Sequence, residues 1–307
     1  MTTNAEHHRW LDLTVEDALL PGLPICDPHH HFWDRPNDRY FLDDLYSDLG
    51  GGHNIVSTIH RMPGDVPPRR PGGDEDPRPD RVRARASGPE QQRAVRRDQR
   101  RRRHRGFRRP GLGCPSRAGT RSPFSRHAAV PRGKAHHCLR RQPGCAPAPP
   151  FPEGLLGDAK FREGFAVLDK LGLSFDAYLY HPQLPEIADL ANAFPGVTII
   201  LNHVGGPLGV GPYAGKQDQI FQEWKESMTA VAAPPNVVVK VGGLVMPVCG
   251  TDWRGRPMPV ASGELAQATA PYYLHCIEEF GPERCMFESN FPVDKIACSY
   301  TVLWNAF

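Results

Sequence analysis

The chain has 307 residues with 37 basic and 34 acidic side chains, a net charge of +3, and eight scattered cysteines. That length suits one large α/β domain or two small ones, and no apolar stretch is long enough for a signal peptide or a membrane span. With no C-x-x-C pair, the expectation is a soluble, cytoplasmic chain with reduced thiols.

Residues 1 to 22 are polar and end in Pro-Gly, which predicts an N-terminal arm. A short apolar lead, Leu23 to Cys26, then runs into Asp27-Pro-His-His-His-Phe-Trp-Asp34. On a strand, side chains two apart share a face, so His29 and His31 project together and His30 points the other way. Two neutral imidazoles on one rigid element suit zinc and other divalent ions, with Asp27 or Asp34 able to ligate or orient them. A polar turn that happens to hold three histidines is the bland alternative. Arg39 to Leu49 has helical apolar spacing and stops at Gly50-Gly-Gly52. His53 to Ile59 reads as a second, β-branched strand.

From Arg61 to about Pro150 the periodicity stops. This stretch holds 24 of the basic residues, only 7 of the acidic ones, 15 of the 33 prolines, and no Ile, Tyr or Trp. Such a segment cannot bury enough apolar surface to offset the entropy of ordering it. One expectation is a disordered basic insert that binds nucleic acid through arginine clusters such as Arg100 to Arg103. Only Phe107 and Phe124 could stack on bases, which speaks against that partner. The other expectation is frame-shifted coding sequence, because GC-rich DNA read in the wrong frame yields arginine, proline, alanine and glycine with almost no lysine. Arg102 to Gly111 can be encoded so that a start one base later reads A-G-I-V-G-S-A-D-L, a buried strand ending in a turn.

Regular patterning returns after Phe151. The spacing predicts helices over Asp158–Leu171, Leu184–Phe194, Gln219–Ala232 and Glu264–Phe280, several of them closed by glycine. Between them lie strands at Leu173–Tyr180, Val197–Leu201, Asn236–Val241 and Cys285–Asn290, and a further helix begins at Val302. Strand and helix alternate with short connections, which implies parallel strands and right-handed crossovers. Six strands in this pattern predict a (β/α)8 TIM barrel, incomplete because the third and fourth strands fall in the unpatterned region and the last helix is cut short at Phe307. A doubly wound sheet is the second choice, but no glycine-rich phosphate loop follows the first strand.

His29, His31, His181 and His203 all fall at carboxyl ends of predicted strands, where barrel chemistry belongs. With that placement, D-P-H-H-H-F-W-D, S-F-D-A-Y-L-Y-H-P-Q-L, I-I-L-N-H-V-G-G-P and M-F-E-S-N-F-P-V-D-K resemble the amidohydrolase-related branch of TIM-barrel metal-dependent hydrolases, which includes sugar-acid and dicarboxylate lactonases. The resemblance covers about residues 20 to 60 and 150 to 307. It implies a metal bound by His29, His31 and His181, with His203 as the sixth-strand histidine. It also implies an eighth-strand aspartate as general base, yet Asn290 stands at that position, and a carboxamide cannot take a proton from water. Glu288 or Asp294 would then substitute, or this branch works without metal.

The expected catalytic residues are therefore His181, His203, Asn290, Glu288 and Asp294, with a divalent metal, zinc first, as cofactor. The implied activity is attack of water on a lactone or similar cyclic ester, a small-molecule substrate. A non-oxidative decarboxylase and a nucleic-acid binder are the alternatives. Lys240 reads as a strand-end charge that could meet a substrate carboxylate. Trp33, Tyr180 and Trp253 read as packing or pocket wall, and Cys26 and Cys285 as small buried hydrophobes.

Overall fold

Two parallel β-ladders, with the turns that follow their strands, position the candidate site residues named above. The computed structural model describes residues 4–35, 38–61 and 153–307, all within one compact unit. Apart from Arg61, the basic segment lies outside the described residues.

The first ladder pairs β1 (Pro24–His30) with β4 (Asn54–His60), from Pro24 with Asn54 to His30 with His60, with register shifts after Ile25 and after Asp27. Between them come a small hairpin, β2 (Trp33–Arg35) with β3 (Asp38–Tyr40), and helix α2 (Leu42–Leu49). The hairpin occupies the start of the stretch predicted as helix from Arg39. Antiparallel pairing of Trp33 with Tyr40 buries both rings against Leu45, and that contact outweighs the helical spacing.

The second ladder has four parallel strands in the order β5 (Phe175–Ala177), β6 (Ile199–Leu201), β7 (Val237–Val241), β8 (Cys285–Phe287). Helices α3 (Ala159–Leu171), α4 (Leu184–Ala193), α5 (Gln217–Ala232) and α6 (Ser262–Phe280) alternate with them, and α7 (Tyr300–Ala306) follows. The alternation is the predicted one. The Asp158 carboxylate caps α3 by accepting from the Phe161 amide at 2.8 Å, and Gly172, in the left-handed region at φ 59, closes it.

The main core lies between these strands and their helices. Ile199, Leu201, Val237, Val239 and Val241 interlock with Leu184, Ile187, Leu190, Trp224 and Met228, all fully buried. Each such side chain contributes about 1.5–3 kcal/mol when removed from water, which is why short three-residue strands persist. The ladders meet where the chain leaves β8: the Asn290 amide donates to the His29 carbonyl at 2.9 Å, and the His31 amide to the Phe291 carbonyl at 2.7 Å. The result is a mixed α/β fold in which the β4–β1 ladder is linked, through the turn that follows β8, to the ladder β8–β7–β6–β5.

The predicted N-terminal arm contains helix α1 (Asn4–Leu11), whose Trp10 indole donates to the Arg256 carbonyl at 3.0 Å. Trp33, Tyr180 and Trp253 are buried, but Cys26 is exposed, because it faces away from the core on β1. Among the described residues, no helix is long and apolar enough to cross a membrane.

Candidate metal centre

The site begins with two sharp turns. β6 ends at Leu201, and His203 and Val204 then adopt φ of 54 and 46, which is uncommon for any side-chain-bearing residue and more so for a β-branched one. The Trp224 indole on α5 holds that turn by donating to the Val204 carbonyl at 2.7 Å. After β8, Asn290 takes φ 53 in the same way. Both turns stop the strand early and swing the side chain across the strand ends.

Glu288 is the hub. It is fully buried, with Oε1 2.6 Å from His203 Nδ1 and accepting from the His203 amide at 3.1 Å, while Oε2 lies 2.8 Å from His29 Nδ1. Burial alone would raise its carboxyl pKa, but the flanking imidazoles of His203 and His29 outweigh that and hold it well below the usual range. Burial pushes the His29 imidazole well down against the pull of Glu288. The combination is an ionised carboxylate beside a neutral ring, the protonation state in which both can ligate a cation.

His31 completes a second contact. Its Nε2 lies 2.9 Å from His29 Nε2 and 3.3 Å from Asn290 Oδ1, and its Nδ1 is 2.9 Å from the Arg61 carbonyl. His29 and His31 thus turn their Nε2 atoms toward each other while each Nδ1 is held by an oxygen. That is how ligating histidines are usually braced. Burial pushes His31 down to about 4, so it too is uncharged at neutral pH.

Asn290 connects onward, donating from Nδ2 to Asp294 Oδ1 at 2.9 Å. Asp294 is buried, and that burial raises its carboxyl well above the ordinary range, with Glu288 adding to the rise. Of the two carboxyls expected to replace the missing aspartate, Glu288 is therefore the one whose surroundings favour the ionised form.

Asp27 does not face the donor atoms. Its Oδ1 accepts from the His29 and Ser289 amides at 3.2 and 3.0 Å, and its Oδ2 from the Tyr300 hydroxyl at 2.9 Å. Asp27 orients β1 against the turn after β8.

His181 makes its contacts elsewhere. Its Nδ1 accepts from the Leu208 amide at 3.1 Å, its ring packs on Tyr213, and its buried Nε2 has no protein partner among the described residues. The predicted metal trio of His29, His31 and His181 thus differs from the trio that converges. His29, His203 and Glu288 each present a ligand atom, and all three lie within 4.8 Å of one another. Two imidazoles and a carboxylate are a donor set suited to a divalent ion, so the residues fit a metal.

Three further contributors stand at the site, of which sequence analysis had singled out only Lys240, as a strand-end charge. Lys240 on β7 reaches into the same group, 3.2 Å from His29 Nδ1, and Asp176 on β5 pairs with both Lys240 and Arg61. The third is Gly242-Gly243, just after β7. A Cβ on Gly242 would stand 2.6 Å from Glu288 Cγ, and one on Gly243, at φ 79, would stand 2.7 Å from the His203 ring. The glycine pair after a strand was visible in the sequence, and close approach is what such pairs signal.

Residues 26–307 match the model of the amidohydrolase family. Over 148 residues the chain is 39% identical to the uncharacterized protein y4mH of Sinorhizobium fredii, an alignment covering 48% of this chain and 43% of that protein. Over 143 residues it is 29% identical to an L-fucono-1,5-lactonase of Burkholderia multivorans, covering 47% of this chain and 45% of that protein. The matched stretch is thus less than half the length of either curated relative. Two crystal structures of an amidohydrolase from Burkholderia multivorans, one with bound Zn and one with bound HEPES, superpose with TM-scores of 0.53 and 0.54 at 19% and 20% identity. Each superposition covers 92% of this chain and 89% of the other, and shows likeness of fold.

Proposed function

Because this chain belongs to the amidohydrolase family, we propose that it is a hydrolase directing water onto the carbonyl of a lactone or similar cyclic ester. The observation that carries the reading is the convergence of His29, His203 and Glu288, three donors within 4.8 Å at the carboxyl ends of parallel strands. Similarity to L-fucono-1,5-lactonases supports a lactone as the ester. The parallel β5–β8 ladder, with β1 bonded to the turn after β8 and β4 beside β1, supports a (β/α)8 barrel as the architecture.

His29, His203 and Glu288 would hold the ion, with His31 facing them, and zinc is the ion the donor types favour. A divalent metal bound there polarises the carbonyl and lowers the pKa of water. The protein's own residues supply the rest. Glu288, ionised 2.6 Å from His203 Nδ1 and 2.8 Å from His29 Nδ1, holds both rings in place, and His31, outside that trio and held at Nδ1 by the Arg61 carbonyl, accepts the proton of the attacking water at Nε2. As the ring C–O bond breaks, His31 returns that proton to the departing oxygen. Asn290, locked by Asp294, orients water through its amide, and the free Nε2 of His181 is left for a substrate hydroxyl.

The test is a panel of sugar-acid and dicarboxylate lactones, with acid release followed in zinc-supplemented and chelator-treated protein. Hydrolysis is expected only with metal, and His29→Ala should lower it a hundredfold or more. No hydrolysis of any lactone by folded, zinc-loaded protein, or an unchanged rate in His29→Ala, would overturn the reading.

A further inference from the structure

Lys240 sits where a charge is costly to keep. Its side chain is 4% exposed, and its Nζ lies 3.2 Å from Asp176 Oδ1 and 4.0 Å from Glu288 Oε2. It also lies 3.2 Å from His29 Nδ1. Arg61 Nη1 holds the other oxygen of Asp176 at 2.8 Å.

His29 Nδ1 therefore has two claimants with opposite demands. Glu288 Oε2, at 2.8 Å, can only accept, so it requires a proton on Nδ1 and leaves the Nε2 lone pair free toward His31. Lys240 can only donate, so it requires a bare Nδ1 and places the ring proton on Nε2. One nitrogen cannot serve both. The ammonium also brings a positive charge to the carboxylate that a metal ion would share.

We infer that Lys240, restrained by Asp176, sets the divalent-metal affinity of the His29–His203–Glu288 group. The ammonium competes with the metal for the same carboxylate and for the ligating tautomer of His29, and Asp176 draws it back toward β5. Lys240 and Asp176 are thus positioning residues, with Asp176 acting through Lys240. This rests on the metal reading above and deepens it.

The experiment is a zinc titration against a chromophoric chelator, using the full chain with Lys240→Met, with Asp176→Asn, and with both. Lys240→Met is expected to bind zinc tenfold or more tightly, since Arg61 remains to pair with Asp176. Asp176→Asn is expected to bind about tenfold more weakly, and to have no effect in the Lys240→Met background; partners beyond the ligands commonly shift affinity by about 10- to 100-fold. Structural damage would weaken zinc binding in both single variants, so their opposite signs separate the inference from a loss of fold. In zinc-free protein, 15N spectra of the histidine rings should show His29 moving to the Nδ1–H form in Lys240→Met. Equal or weaker zinc binding by Lys240→Met overturns the inference and leaves the metal reading standing. No zinc binding by any of the four proteins overturns both.

Discussion

The burial of uncharged imidazoles ties the stability of this protein to pH. Burial pushes His30 down to about 3 and His31 and His181 to about 4, from an ordinary value of 6.5. These groups favour the folded state above pH 6.5, and the contribution is lost as pH falls, because the unfolded chain takes up protons that the folded one refuses. Asp27 acts in the opposite sense. Its carboxyl is raised by burial from 3.8 to about 6, so between those values the folded state holds the extra proton. Of these four groups, three histidines against one aspartate leave a net uptake of protons on unfolding near pH 5, so stability falls as pH falls there. Chelator-treated protein is thus expected to unfold at markedly lower denaturant at pH 5 than at pH 7. An equal or higher midpoint at pH 5 would mean that these rings are charged in the folded protein. At this scale the sequence was readable for residue type and blind to roles. The pairing of His29 with His31 follows from strand alternation, whereas Asp176 stands 64 residues from Lys240 and 115 from Arg61, and only the fold brings them together.

Among the elements, helices were the most legible, because apolar spacing, a cap and a closing glycine are all local signals. The helix predicted over Asp158–Leu171 is found at Ala159–Leu171 with Asp158 as its cap. Strands were read too long. Leu173–Tyr180 shortens to Phe175–Ala177 and Cys285–Asn290 to Cys285–Phe287, because the chain abandons its ladder to aim the residues that follow. Connections between elements were illegible, and one of them is a strong test. The Asn236 amide, just before β7, donates from Nδ2 to the carbonyls of Ala191, Phe194 and Val197 at 3.2, 3.1 and 2.9 Å. It serves oxygens at and just beyond the end of α4, of which the Phe194 carbonyl also accepts from the Val197 amide at 3.1 Å. Asn236→Ala is expected to destabilise by about 2 kcal/mol, since buried acceptors lose their donor. Removing the exposed cap with Asp158→Ala should cost about 1 kcal/mol. Urea midpoints compare the two directly, and an Asn236→Ala loss smaller than that of Asp158→Ala would show that water takes over those carbonyls.

The whole molecule divides by charge and by pattern at the same place. Outside Arg61–Pro150 the chain is acidic, patterned and matched to a family, and inside it is arginine-rich and unpatterned. Among the described residues, β4 pairs only with β1 and β5 only with β6, so each has one edge without a strand partner. In the barrel we propose, the third and fourth strands would lie between those two edges, and their sequence would be encoded by the segment that carries the arginines. Open strand edges recruit other chains, so a molecule lacking the intervening strands is expected to self-associate. A frame-shifted origin makes a specific prediction. Translating codons 61 to 150 in one alternative frame should give alternating strand and helix patterns, and a protein carrying that translation should be more soluble and melt several degrees higher than the present chain. If instead the present chain binds nucleic acid with an affinity that falls steeply as salt rises, the arginines are neutralising phosphates. The segment would then be a functional insert, and the proposal that it replaces two barrel strands would be lost.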